Sequence, residues 1–134
     1  MENVLIYLPK IFLALVALAF LFFGLLGWVN PVATVSPLDI VVQTAQAKTE
    51  IRATYGGFMV GVGLFIAYTA WQIETVRVGL IAVAIILLAL GGTRLYGIIV
   101  DKPMATMQWQ LLSLELIPAC IAILLLVFYP FTKQ

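Results

Sequence analysis

Four long apolar runs separated by short polar breaks set the plan of this chain, from about residues 8 to 28, 51 to 70, 76 to 100 and 108 to 129. As helices rising about 1.5 Å per residue, each is long enough to cross about 30 Å of hydrocarbon. Pro9 is expected in the first turn of the first helix, where its missing N–H costs nothing, and Asn30-Pro31 is expected to stop that helix. The stretch 31–49 carries Pro31, Ser36, Pro37, Asp39 and the polar run from Gln43 to Thr49, which predicts a long loop containing a short helical turn or a helix lying on the surface. The link from Trp71 to Thr75 and the turn Asp101-Lys102-Pro103 are tight, so the second, third and fourth helices are antiparallel neighbours in turn. The pattern therefore predicts an all-α fold, an integral membrane four-helix bundle with antiparallel up-down connections, in a single membrane domain over residues 1–134.

Composition agrees with this plan. Hydrophobic residues fill 64% of the 134 positions and charged residues only 10%. The mean hydropathy is +1.16, and a soluble domain of this size would lack the polar residues to cover four such helices. The first run is longer than the apolar core of a cleaved signal and has Glu2 near its start, so it reads as a retained helix. Trp28, Trp71, Trp109, Tyr7 and Tyr129 fall at predicted helix ends, the headgroup level that Trp and Tyr favour. An even number of passes places both termini on one side, with Lys10, Arg77 and Lys133. Lys48 and Lys102 lie on the other side, with Arg52 and Arg94 if they count as loop charges; with those two arginines left out as membrane-buried, the count of three against two favours cytoplasmic termini.

Charge inside the apolar runs changes the picture most. An ionised side chain at membrane depth costs about 3 kcal/mol or more unless it is paired or wetted, yet Arg52, Arg94 and Glu115 lie within or at the ends of the runs. Arg94 precedes the end of the third helix by about as many residues as Glu115 follows the start of the fourth. A tight turn thus brings them to a similar depth, roughly 10 Å from the interface, where they can pair. On the third helix Arg94, Ile98 and Asp101 share a face, as do Gln108, Leu111 and Glu115 on the fourth. Arg52 and Tyr55, near the start of the second helix with Glu50 just outside, are placed to complete a polar cluster of Arg52, Tyr55, Arg94, Asp101 and Glu115.

That cluster has two readings. In one, Arg94 and Glu115 form a structural pair that fixes helix register among otherwise interchangeable apolar helices. In the other, the cluster holds an anionic or amphiphilic head group, or passes an ion or proton, with Arg52 free to meet Glu50, Asp101 or a lipid phosphate. Small residues form a second pattern: Ala53, Gly57 and Gly61 at small-xxx-small spacing, Gly56 and Gly63 beside them, and Gly91-Gly92 near Arg94. Such positions let helix backbones approach closely in lipid. Contact between the second and third helices is expected from them, with a dimer or a larger partner as the alternative.

Missing residue types close off several chemistries. There is no histidine, which excludes paired-imidazole haem ligation, His-containing zinc sites and histidine general-base catalysis. The lone Cys120 can neither form an internal disulfide nor hold an iron–sulfur cluster, and reads as a packing residue. Ser36 and Ser113 have no activating base, and Asp101 and Glu115 beside two arginines make a poor metal site. The run Gly56 to Gly63 lacks the Lys-Ser/Thr ending and the preceding strand of a phosphate loop. Pro118, in the middle of the fourth helix, is expected to kink it. A net charge of +1 gives no footprint for nucleic acid.

The order Arg52-Ala53-x-Tyr55-Gly56-Gly57, then Gly61-x-Gly63, Gly91-x-x-Arg94, Asp101-x-Pro103 and Glu115 resembles the bacterial membrane family catalogued as domain of unknown function 4345 over nearly the whole chain. The resemblance implies a four-helix inner-membrane protein whose recurring polar residues are those named above. It implies no activity, substrate or cofactor. The function expected is a non-catalytic accessory or structural component of a larger membrane complex, not an enzyme, with membrane lipids and other membrane subunits as partners. The alternative is binding or transport of a lipid-like or quinone-like amphiphile, or a small anion, at the Arg/Glu/Tyr cluster.

Overall fold

The computed structural model describes residues 2–103 and 105–128, and among these there is no strand. Four helices carry the fold: α1 (Glu2–Val29), α2 (Ala45–Trp71), α3 (Val76–Asp101) and α4 (Met107–Phe128). All four are long and apolar enough to cross a membrane, as in a multi-pass membrane protein. Trp28, Trp71 and Trp109 stand exposed at helix ends, as does Tyr7 near the start of α1. Tyr129 and Lys133 lie outside the described residues.

Two boundaries differ from the apolar pattern. Helix α2 starts at Ala45, not near residue 51, with Thr44 accepting the Ala47 N–H at 3.1 Å as its N-cap. The polar residues Gln46, Lys48 and Thr49 thus form the helical turn expected within 31–49, but one continuous with α2. Hydropathy marks only the part of a helix that lies in lipid, whereas a cap marks where it begins. Helix α1 starts at Glu2, so Pro9 lies inside it rather than in its first turn. Asn30 does end α1, leaving helical geometry at φ −130°, ψ 78°. Its Oδ1 then accepts the Ala33 N–H at 3.2 Å and caps a short helix, Pro31–Val35, with Pro31 in its first turn. A 3₁₀ turn, Ser36–Leu38, and left-handed Asp39 at φ 58° follow.

The contacts gather the chain into two compact units. The first, Phe12–Tyr68, holds most of α1 and α2 and the segment between them. Its two helices run antiparallel and almost touch through glycine. A Cβ placed on Gly27 would sit 2.6 Å from the Tyr55 carbonyl oxygen, and one on Gly56 would sit 2.8 Å from the Trp28 nitrogen. Gly24 faces the Val60 nitrogen at 2.8 Å, and Gly63 faces the Leu21 side chain at the same distance. The glycine-rich face of α2 therefore meets α1 through a pair of glycines, Gly24 and Gly27, that lack small-xxx-small spacing. Gly56 and Gly63 thus make their close contact with the first helix.

Helix α2 winds as a π-helix over Arg52–Phe58. A π turn places residues five apart on one face, and the buried positions here are Ile51 and Gly56. In an α-helix the fourth residue, Tyr55, would follow Ile51 onto that face, and its ring could not enter a space where a methyl group already collides. The wider turn brings Gly56 there instead and leaves Tyr55 exposed.

The second unit, Met1–Ile11 with Thr69–Gln134, is dominated by the α3–α4 hairpin. Its turn begins with Lys102 in the left-handed region at φ 49°, where the Lys102 N–H closes on the Ile98 carbonyl. Pro103 then prevents the helix from continuing. In the same unit Lys10 donates from Nζ to the Trp71 carbonyl at 3.1 Å, so a cation sits at the C-terminus of α2, where the helix dipole favours it.

The glycines of α2 divide sharply. Gly61 has nothing within 4 Å of a Cβ position, and Gly57 has only the Arg52 carbonyl at 3.8 Å. Substitution of alanine at Gly27 or Gly56 is expected to destabilise the protein by about 1–3 kcal/mol, because backbone atoms would have to move apart. Gly61→Ala is expected to be neutral, or stabilising by up to about 1 kcal/mol through helix propensity. Thermal unfolding of the four proteins in one detergent measures the contrast.

Candidate functional site

Buried positions on α3 recur at Val76, Leu80, Val83, Leu87, Gly91 and Ile98. The step between the last two is the one place where the three-four spacing skips a turn, and Arg94 occupies it. On α4 the buried positions Leu112, Ala119 and Ala122 leave a matching gap, filled by Glu115. Each charged residue thus lies in the buried stripe of its helix rather than on a lipid-facing side. The helices close tightly one turn from Arg94: a Cβ on Gly91 would meet Leu116 Cδ2 at 2.7 Å and Glu115 Cβ at 3.5 Å. Gly92, next in sequence, has open space around it.

Across this seam Arg94 and Glu115 join side by side. Arg94 Nε donates to Oε1 and Oε2 of Glu115 at 3.0 and 2.9 Å, and Nη2 donates to Oε1 at 2.7 Å. The third nitrogen, Nη1, donates to Gln108 Oε1 at 2.8 Å. Every nitrogen of the guanidinium is therefore engaged by α4. Two-point binding of a planar guanidinium to a carboxylate is the strongest pairing these groups make. The side chains are 25% and 12% exposed, respectively, so the pair is largely withdrawn from its surroundings. No buried side-chain nitrogen or oxygen among the described residues lacks a partner.

The other cluster residues are placed differently. Asp101, at the end of α3, is exposed and among the described residues makes no ion pair, and its Oδ2 lies 3.7 Å from where a Cβ on Gly97 would be. Arg52 belongs to the first unit, where its Nε donates to the Trp28 carbonyl at 3.1 Å and not to Glu50. It thereby caps the C-terminus of α1. Tyr55, also in the first unit, packs its backbone against Gly27 and exposes its side chain.

The structure thus brings Arg94 and Glu115 together, and each of the two arginines has partners within its own unit. Gln108 joins the pair although it was outside the cluster drawn from sequence. Its signal was the shared helical face with Glu115. Among the described residues no group of three His, Cys, Asp or Glu side chains could hold a metal ion. The hydroxyls at membrane depth are satisfied locally: Thr93 donates to the Ala89 carbonyl at 2.8 Å and Ser113 to that of Gln110 at 2.7 Å.

No curated protein and no solved structure matches the chain. Residues 8–127 match the family described as Domain of unknown function (DUF4345), and the chain belongs to that family.

Proposed function

We propose that this protein is a non-catalytic accessory or structural component of a larger membrane complex, embedded in a bacterial inner membrane with its termini on the cytoplasmic side. The observation that carries the reading is the closure of the polar site. Glu115 takes donors from two nitrogens of Arg94 and Gln108 takes the third, so the most deeply placed charges are occupied with each other. An acid or base poised for chemistry needs a group left available to a substrate. The residue inventory supports the same reading, since a chain without histidine and with one cysteine lacks the usual nucleophile–base pairs.

A head-group pocket shared by Arg52, Arg94, Tyr55 and Glu115 draws less support. Arg94 and Glu115 are filled by each other and by Gln108. Partner helices have ample surface to use, because no more than about a third of the apolar stretch of any candidate span is buried within the chain. Other membrane subunits and lipids are the partners this exposure suits.

Two outcomes are expected. Extraction in a mild detergent, followed by native mass measurement, is expected to recover the chain bound to at least one other membrane protein. Recovery only as a monomer would overturn the proposal. Glu115→Gln is expected to cost about 3–5 kcal/mol by stranding the Arg94 charge, and pairing Arg94→Met with Glu115→Leu is expected to restore most of that loss. Unfolding midpoints of the single and double variants measure the difference, and a double variant as unstable as Glu115→Gln would show that the pair does more than hold the hairpin together.

A further inference from the structure

Arg52 is held in an unusual way for an exposed arginine. Its Nε–H is committed to the carbonyl of Trp28, and among the described residues its two terminal nitrogens make no hydrogen bond. The tether fixes the depth of the guanidinium as well as its orientation. Trp28 is the penultimate residue of the first candidate span, Tyr7–Val29, so Arg52 sits where that span leaves the hydrocarbon. This is the level of lipid phosphates. Trp28 and Tyr55, both exposed, flank the position as headgroup-level aromatics do.

Lys48 stands one helical turn before Arg52 on the same face of α2, exposed and, among the described residues, in no ion pair. Glu50 is two residues from each and lies toward the other side of the helix. Two cations, one of them a preset fork of N–H donors, therefore share a face at phosphate depth with no carboxylate between them. A guanidinium fork matches two phosphate oxygens, and an adjacent ammonium adds a point charge.

We propose that Arg52 and Lys48 hold the phosphate of an anionic phospholipid. The site is distinct from the Arg94–Glu115 pair and does not depend on the role proposed for the whole protein. Ligand and site meet at the end of α1, so an occupied site braces the Trp28–Arg52 junction.

The test uses the full chain in lipid nanodiscs containing equal parts of phosphatidylglycerol and phosphatidylcholine, with native mass spectrometry of the lipid retained on release. Wild-type protein is expected to retain phosphatidylglycerol in preference to phosphatidylcholine. Lys48→Gln is expected to lower that preference about fivefold, the effect of one basic residue at an anionic surface. Arg52→Lys keeps the charge but is expected to lower the preference too, because one ammonium cannot both hold the Trp28 carbonyl and present a fork. Lys102→Gln removes the same charge elsewhere and is expected to leave the preference unchanged. Equal retention of the two lipids, or a loss with Lys102→Gln as large as with Lys48→Gln, would overturn the proposal. A second arm compares thermal midpoints in dodecyl maltoside with phosphatidylglycerol or inorganic phosphate added. A rise with the lipid alone is expected, and a rise with phosphate and none with the lipid would overturn the lipid as the source of the ligand.

Discussion

A polar group within hydrocarbon has no water to fall back on, and the placement of charge in this chain follows from that constraint. Arg94 and Glu115 lie in the buried stripes of α3 and α4, and they meet through a carboxylate that binds two guanidinium nitrogens, with Gln108 taking the remaining one. Once these groups must meet, the register of the hairpin is fixed: sliding one helix by a turn along the other would separate them by about 5 Å. Apolar side chains alone would tolerate such a slip far better, because in lipid one Leu contact is nearly as good as another.

The same constraint operates at the helix ends, where the last carbonyls of a helix lack donors from within it. Arg52 supplies one to Trp28, and Lys10 supplies one to Trp71. In both cases the acceptor residue is a tryptophan at the end of a span, so a cation and an indole occupy the same level. Backbone approach is the other force at work. Gly24, Gly27, Gly56 and Gly63 let α1 and α2 lie against each other with main-chain atoms in contact. Dispersion at such distances replaces the hydrophobic drive that lipid does not supply.

Much of this could be read from the residues, and the rest was hidden for identifiable reasons. The four helices announce themselves by length and hydropathy, and the family followed from its short motifs. The Arg94–Glu115 pairing needed only the tight turn and equal distances from it. The start of α2 was hidden because its first turns are polar, while Thr44 was the cap that marked them. The division of the glycines could not be deduced from spacing. Ala53, Gly57 and Gly61 have the better small-xxx-small pattern, yet the π turn at Arg52–Phe58 rotates Gly56 into the contact and leaves Gly57 and Gly61 open. Arg52's partner is a backbone carbonyl, which every residue carries and no sequence pattern singles out.

Arg94 is closed on Glu115 inside the membrane, and hydrogen exchange at the Arg94 Nε–H reports that closure. In protein labelled with ¹⁵N-arginine and held in micelles, that proton is expected to exchange far more slowly than in free arginine. Exchange as fast as in the free amino acid would mean that the guanidinium is open to solvent and not held by Glu115.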